Sequence, residues 1–179
     1  MKEQHTIHGV FLDIHDLGVL LTGPSNIGKS ELALSLIERG HRLIADDYVI
    51  LQKESDIVIG SCPPALQGFL AIRDVGIINV IKLFGQQVFC THKKLALIIE
   101  LTPFHEQQTT LFEAYLQGSI GMQDIMNINI PKKSLLVKPN RNLALLIETC
   151  VRLQQCKQAG YDASTDFVAR QQQLIDSNS

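Results

Sequence analysis

The chain has 179 residues, 45% of them apolar, with a formal net charge of −2 and a pI near 6.3. That length supports one good hydrophobic core rather than two, and the charge excludes the strongly basic chain that nucleic acid or an anionic membrane surface would call for. The cysteines Cys62, Cys90, Cys150 and Cys156 form no C-x-x-C pair and have no histidine at ligand spacing, so neither a zinc site nor a disulfide framework is expected and a reduced cytoplasm fits.

The N-terminal residues lack an apolar signal core, and the longest apolar runs fall far short of a membrane span. Residues 7–14 and 18–22 read as two short strands around the turn His15-Asp16, a hairpin that would set His8 beside the second strand. That strand feeds Gly23-Pro24-Ser25-Asn26-Ile27-Gly28-Lys29-Ser30, a full match to G-x-x-x-x-G-K-[ST]. A helix follows, with Leu32, Leu34, Leu36 and Ile37 apolar and an Arg39-Gly40 ending that suits a left-handed cap. Residues 41–45 resume strand character and end in Asp46-Asp47; 48–51 and 57–59 read as further strands. Pro63-Pro64 opens a short helix or turn, and Gly68, Arg73-Asp74 and Gly76 break any long element before residue 80.

Residues 95–101 form a core strand by their Leu and Ile content, and 102–110, with Pro103 and several Gln, read as a solvent loop. After a poorly patterned stretch, 134–138 is a strand candidate. Asn142 opens a helix through Cys156, and a last amphipathic helix begins at the cap Ser164 and frays from residue 176 onward.

The chemistry begins at the phosphate loop. Gly23 and Gly28 let the backbone approach phosphate oxygens, and the N–H groups opening the helix point at negative charge, aided by the helix dipole. Asn26 tolerates positive φ within the loop. Lys29 would neutralise the outer phosphates and Ser30 would ligate Mg²⁺. Such a loop needs a carboxylate on a neighbouring strand, to hold the metal or to take a proton from the attacking group. Asp46-Asp47 and Glu100 are the two candidates. Neighbouring strand residues face opposite ways, so Asp46 and Asp47 would do different jobs unless the strand has already ended; the plainer reading of the pair is a turn after a strand. His8 is either a half-buried strand histidine or a partner of the loop. Arg73 and Arg141, in glycine- or proline-marked turns, suit a phosphate clamp or simple solvation.

Five segments then line up in order: HGVFLDI, GVLLTGPSNIGKSELAL, RGHRLIADD, LAIRDVGIINV with LFG after it, and VKPNRNLALLIE. Their order and spacing resemble the catalytic domain of HPr kinase/phosphorylase, the bacterial enzyme that phosphorylates a serine on the phosphocarrier protein HPr and can remove it again. The resemblance runs from about His8 to Asp166, and it looks like a short form, a single domain over 1–179 without the family's N-terminal domain. It implies an α/β fold, a mixed sheet around a Walker A phosphate loop similar to the nucleotide-binding part of phosphoenolpyruvate carboxykinase, with C-terminal helices and a cytoplasmic homohexamer.

By the same resemblance the catalytic residues are His8, Lys29, Asp47 and Arg141, with Asp47 taking the serine proton and His8 paired with it. Residues 23–30 bind ATP, Ser30 and Asp46 hold Mg²⁺, and phosphate and pyrophosphate serve the reverse direction. Docking of HPr on the polar face of the last helix, near Arg170, is implied by the family's docking mode. The chain departs from the family where Ala71 stands for a metal-binding Glu, Asp74 for a Gly and Asn140 for a Gly. No arginine lies between Arg73 and Arg141, where a further catalytic one belongs. These departures leave room for two other readings, a nucleotide-binding regulatory module with weakened catalysis or a kinase of the same fold with another substrate.

Overall fold

Residues 3–105, 118 and 120–178 are described in the computed structural model. In chain order the strands are β1 (Gln4–Ile7), β2 (Val10–Ile14), β3 (Leu17–Thr22), β4 (Arg42–Asp46), β5 (Val49–Glu54), β6 (Ile57–Ser61), β7 (Phe69–Ile72), β8 (Gly76–Asn79), β9 (His92–Pro103), β10 (Ile120–Ile125) and β11 (Ile128–Val137). Among the described residues the α-helices are α1 (Lys29–Glu38), α2 (Val80–Phe84), α3 (Leu143–Gln158) and α4 (Ala163–Ser177). Nine strands make one mixed sheet in the order β1-β5-β6-β9-β3-β2-β4, with β11 also on β9 and β10 on β11; β7 and β8 pair apart from it.

The 12-residue β9 organises this sheet, pairing antiparallel with β6 through His92–Lys94 and then parallel with both β3 and β11. Strands buried on both faces need apolar side chains at every position, and Val10 to Ile14 are all buried, Asp13 included. Alternate residues feed two cores. Val10, Leu12, Val19, Leu21, Leu97 and Ile99 join Leu32, Leu36, Ile147 and Val151 of α1 and α3, whereas Phe11, Leu20, Ile44 and Ile98 join Val49, Leu51, Val58 and Ile130. No helical residue enters the second core among the described residues; the sheet curls over its own face to close it. Gly60 lets this happen, because a Cβ there would stand 2.2 Å from the Phe11 ring.

The expected hairpin forms, with His15 and Asp16 both at positive φ in its turn, and Gly40, just past the C-cap Arg39 of α1, takes the left-handed φ of 98°. His8 lies in the bend between β1 and β2 rather than within a strand. Residues 61–80, expected to break any long element, contain the β7–β8 hairpin and the start of α2. The glycine and charge signals there mark the hairpin's own turn, with Asp74 at φ 65° and Gly76 at φ 103°. The strand expected over 134–138 is the end of β11, but the first half of β11 and its hairpin with β10 went unexpected, since β11 is half-buried at most positions and carries no clean period of two. Residues 102 and 103 close β9 instead of opening a loop; the remainder of that expected loop, from residue 106, lies outside the described residues. Asn142 caps α3 as expected, accepting from the Leu145 N–H. The cap of α4 is Asp162 instead of Ser164, because its carboxylate accepts from the N–H groups of both Ser164 and Thr165.

Candidate active site

Strand β3 delivers the phosphate loop beside β9, with Thr22 opposite Glu100. The loop turns through Asn26 at φ 66° and Gly28 at φ 101°, left-handed values that suit Asn and Gly. Ile27 packs against the helix-side core and anchors the loop. The Leu32 N–H reaches the Gly28 carbonyl at 3.0 Å, so α1 begins at once and its first N–H groups, which have no earlier turn to bond, stand at the positive end of the helix. Lys29 is 7% exposed, and its ammonium donates to the carbonyls of Gly23 at 3.0 Å and Pro24 at 2.9 Å.

The Ser30 hydroxyl donates to Asp46 Oδ1 at 3.0 Å and lies 3.3 Å from Oδ2. The Ala71 N–H also donates to Asp46 Oδ2, at 3.2 Å, which ties β7 to the end of β4. Burial pushes the Asp46 carboxyl above its ordinary range, opposed by the Ala71 N–H and the Ser30 hydroxyl. Strand alternation would have sent Asp47 to the far face. Instead Asp47 adopts φ 66° and the Tyr48 N–H bonds the Asp46 carbonyl at 2.7 Å, a reversal that leaves both carboxylates on one side. His8 Nδ1 meets Asp47 Oδ1 at 3.1 Å, with both side chains more than half exposed.

These groups surround a cleft of about 300 Å³ lined by His8, Ser25, Asn26, Gly28, Lys29, Ser30, Glu31, Asp46, Asp47, Ala71 and Arg73. The fold thus gathers most of the residues singled out in the sequence. Gly23 and Pro24 reach it through their carbonyls on Lys29, and Ile27 faces the core. Arg141 is not among the lining residues; its Nη1 donates to the Leu136 carbonyl at 3.0 Å in the connection from β11 to α3. Arg73 does line the cleft, and its place in the turn after β7 is the signal that made it a clamp candidate. Glu31, in the first turn of α1, had no such signal. Ser30 and Asp46 offer hard oxygen donors of the kind Mg²⁺ takes, and Asp47 with His8 offers a carboxylate oriented by an imidazole.

The sequence matches the family described as the HPr Serine kinase C-terminal domain over residues 1–171, and the chain belongs to that family. It is 42% identical over 173 residues to the HPr kinase/phosphorylase of Xylella fastidiosa strain M12 and 41% identical to that of Xanthomonas campestris pv. campestris strain B100. Each alignment covers 96% of this chain and 54% of the relative, so the chain spans about half the length of the curated relatives it matches. The fold is similar to the structure of the Hpr(Ser) kinase/phosphatase from Coxiella burnetii, with a TM-score of 0.82 and 43% identity over 91% of this chain and 98% of that one.

Proposed function

We propose that this chain, one domain of the HPr serine kinase family, transfers phosphate from ATP to a serine of the phosphocarrier protein HPr and carries out the reverse phosphorolysis. One observation carries the reading: the Asp47 carboxylate, held by His8 at 3.1 Å, faces the same cleft as Lys29 and the phosphate loop. The N–H groups opening α1 and the loop backbone would hold the nucleotide phosphates. Lys29, which donates to two loop carbonyls, would turn its ammonium onto the outer phosphates. Ser30 and Asp46 would hold Mg²⁺, which when bound draws negative charge from the transferring group.

In the forward direction Asp47 Oδ1 or Oδ2 would accept the proton of the serine hydroxyl, with His8 Nδ1 fixing the carboxylate's orientation. In the reverse direction the same carboxylate would take a proton from inorganic phosphate as it attacks phosphoserine and pass that proton to the departing serine oxygen, giving pyrophosphate and the free serine hydroxyl. Arg73 at the rim would meet phosphate charge as the group moves. Ala71 contributes only its backbone N–H, on Asp46, so the metal position would rest on Ser30 and Asp46 without a third side chain from β7. Family likeness further supports a cytoplasmic homohexamer and HPr docking near Arg170, whose guanidinium is paired with Asp166 at 2.8 Å on α4. No described helix is long and apolar enough to cross a membrane.

The test is mass spectrometry of HPr after incubation with the chain and Mg²⁺-ATP, beside a nucleotide titration of the same preparation. Phosphoserine on HPr is the expected result. Tight ATP binding with HPr left unmodified would overturn the reading in favour of a regulatory module or another acceptor.

A further inference from the structure

At the other end of α1 from the phosphate loop, a second set of polar side chains converges. His15 projects from the β2–β3 turn, His41 precedes β4, and Glu148 lies in the second turn of α3. One ligand atom from each lies within 4.8 Å of the other two, the one such three-residue group among the described residues. His41 is 7% exposed and Glu148 12%. His41 Nε2 is 2.8 Å from Glu148 Oε1, and the His15 and His41 rings meet edge to face at 4.7 Å between centroids. His15 and His41 line an open cavity of about 450 Å³ together with Asp13, Asp16, Arg39 and Arg42.

We propose that His15, His41 and Glu148 form a binding site for a borderline-soft divalent ion, zinc foremost, separate from the magnesium position in the cleft. Two imidazoles and one carboxylate are a donor set that zinc takes with three protein ligands and one open position. They do not suit Mg²⁺, which prefers oxygen. Bonds of about 2.0–2.2 Å in a tetrahedral site put neighbouring donor atoms roughly 3.3 Å apart. The His41–Glu148 contact therefore opens by about half an ångström, while His15, on a surface turn, closes in. A fourth ligand would enter from the cavity that His15 and His41 line.

The charges around the group are arranged for this. Arg39 Nε and Nη2 donate to the two oxygens of Glu148 at 2.8 and 2.6 Å. That pairing holds the carboxyl down at about 2, ionised and fixed in orientation, as an outer partner does for a metal ligand. Arg42 and Lys93 are taken up by Asp13 and Asp16, so their charges are answered within the rim. Binding would clamp the hairpin turn, the α1–β4 junction and α3 together, about 15 Å along α1 from the phosphate loop.

The experiment titrates the full chain with Zn²⁺ against a chromophoric chelator, with Mg²⁺ in excess to occupy the cleft. One Zn²⁺ per chain is expected, with affinity at least tenfold weaker in His15→Asn and in Glu148→Gln while ATP binding is unchanged. Asn accepts the left-handed backbone that His15 adopts, so that variant keeps the turn. Spectra of ¹⁵N-histidine-labelled protein supply a second reading, in which Zn²⁺ shifts the ring nitrogens of His15 and His41 and leaves those of His8. Equal affinity in the wild type and His15→Asn, absence of Zn²⁺ uptake, or shifts confined to His8 would each overturn the proposal.

Discussion

The two ends of α1 carry charge in opposite ways. At its N-terminal end Lys29 leans on loop carbonyls, Ser30 on Asp46, and Asp47 on a half-exposed histidine. All of these are partners that a ligand can replace. At its C-terminal end Glu148 accepts from both Arg39 and His41 while almost wholly buried, and Asp13, 4% exposed, is held by Arg42 and Lys93. Loose pairing suits the phosphate exchange proposed for the cleft. Tight pairing locks α1, β2, β4 and α3 into one frame, and that frame fixes the direction in which the helix points at the cleft.

The largest effect expected along this contrast is from Asp47→Asn, which removes a proposed general base and lowers phosphate transfer by roughly 10²–10⁴-fold. Because Asp47 has few native obligations, nucleotide affinity and the melting temperature should stay close to wild type. Quantitative phosphoserine analysis with a parallel ATP titration decides it, and transfer at wild-type rate would remove Asp47 from the mechanism. Lys29→Ala is next. Nucleotide affinity should fall on the order of 100-fold, two phosphate-ammonium contacts' worth at about 1.5 kcal/mol each, with little change in melting since water can reach the loop carbonyls from the cleft.

Glu148→Ala should reverse that pattern. Leaving the buried His41 and the Arg39 fork without their acceptor costs about 2 kcal/mol, read as a drop of roughly 4–8 °C in melting temperature for a chain this size, while ATP affinity per folded molecule is retained. A melt unchanged from wild type would erase the distinction between the two ends.

The smallest effect is on acid stability. The folded Glu148 carboxyl is held at about 2 against an ordinary 4.5, chiefly by the Arg39 hydrogen bond. Its contribution is therefore complete above about pH 4.5 and is lost as pH falls toward 2. Glu148→Gln should flatten the stability profile across that window; identical acid profiles for the two proteins would show that the pairing adds nothing to folding.

Legibility from sequence followed the range of the interactions. The phosphate loop, the β2–β3 hairpin and the cap Asn142 were readable because their signals are backbone preferences of adjacent residues. The β7–β8 hairpin was not, since its buried residues are only Leu70 and Ile72, with Phe69 and Ala71 turned outward. The cap of α4 slipped by two residues because Asp162 and Ser164 are both good capping residues, and the choice lies in which side chain meets the free N–H groups. Arg73 showed its turn but not the cleft behind it.

By itself the sequence determined that a strand, a glycine-marked loop and a helix follow one another, and that two carboxylates end the next strand, since each depends on local dihedral preference and period. Only the tertiary structure decided that Asp47 turns back to the same side as Asp46, that the Ala71 N–H braces Asp46 across 25 residues, and that Arg39 and His41 meet Glu148 across 109 and 107. Contacts at such separations are set by how the sheet curls and where α3 docks upon it. No local preference of the chain encodes that packing.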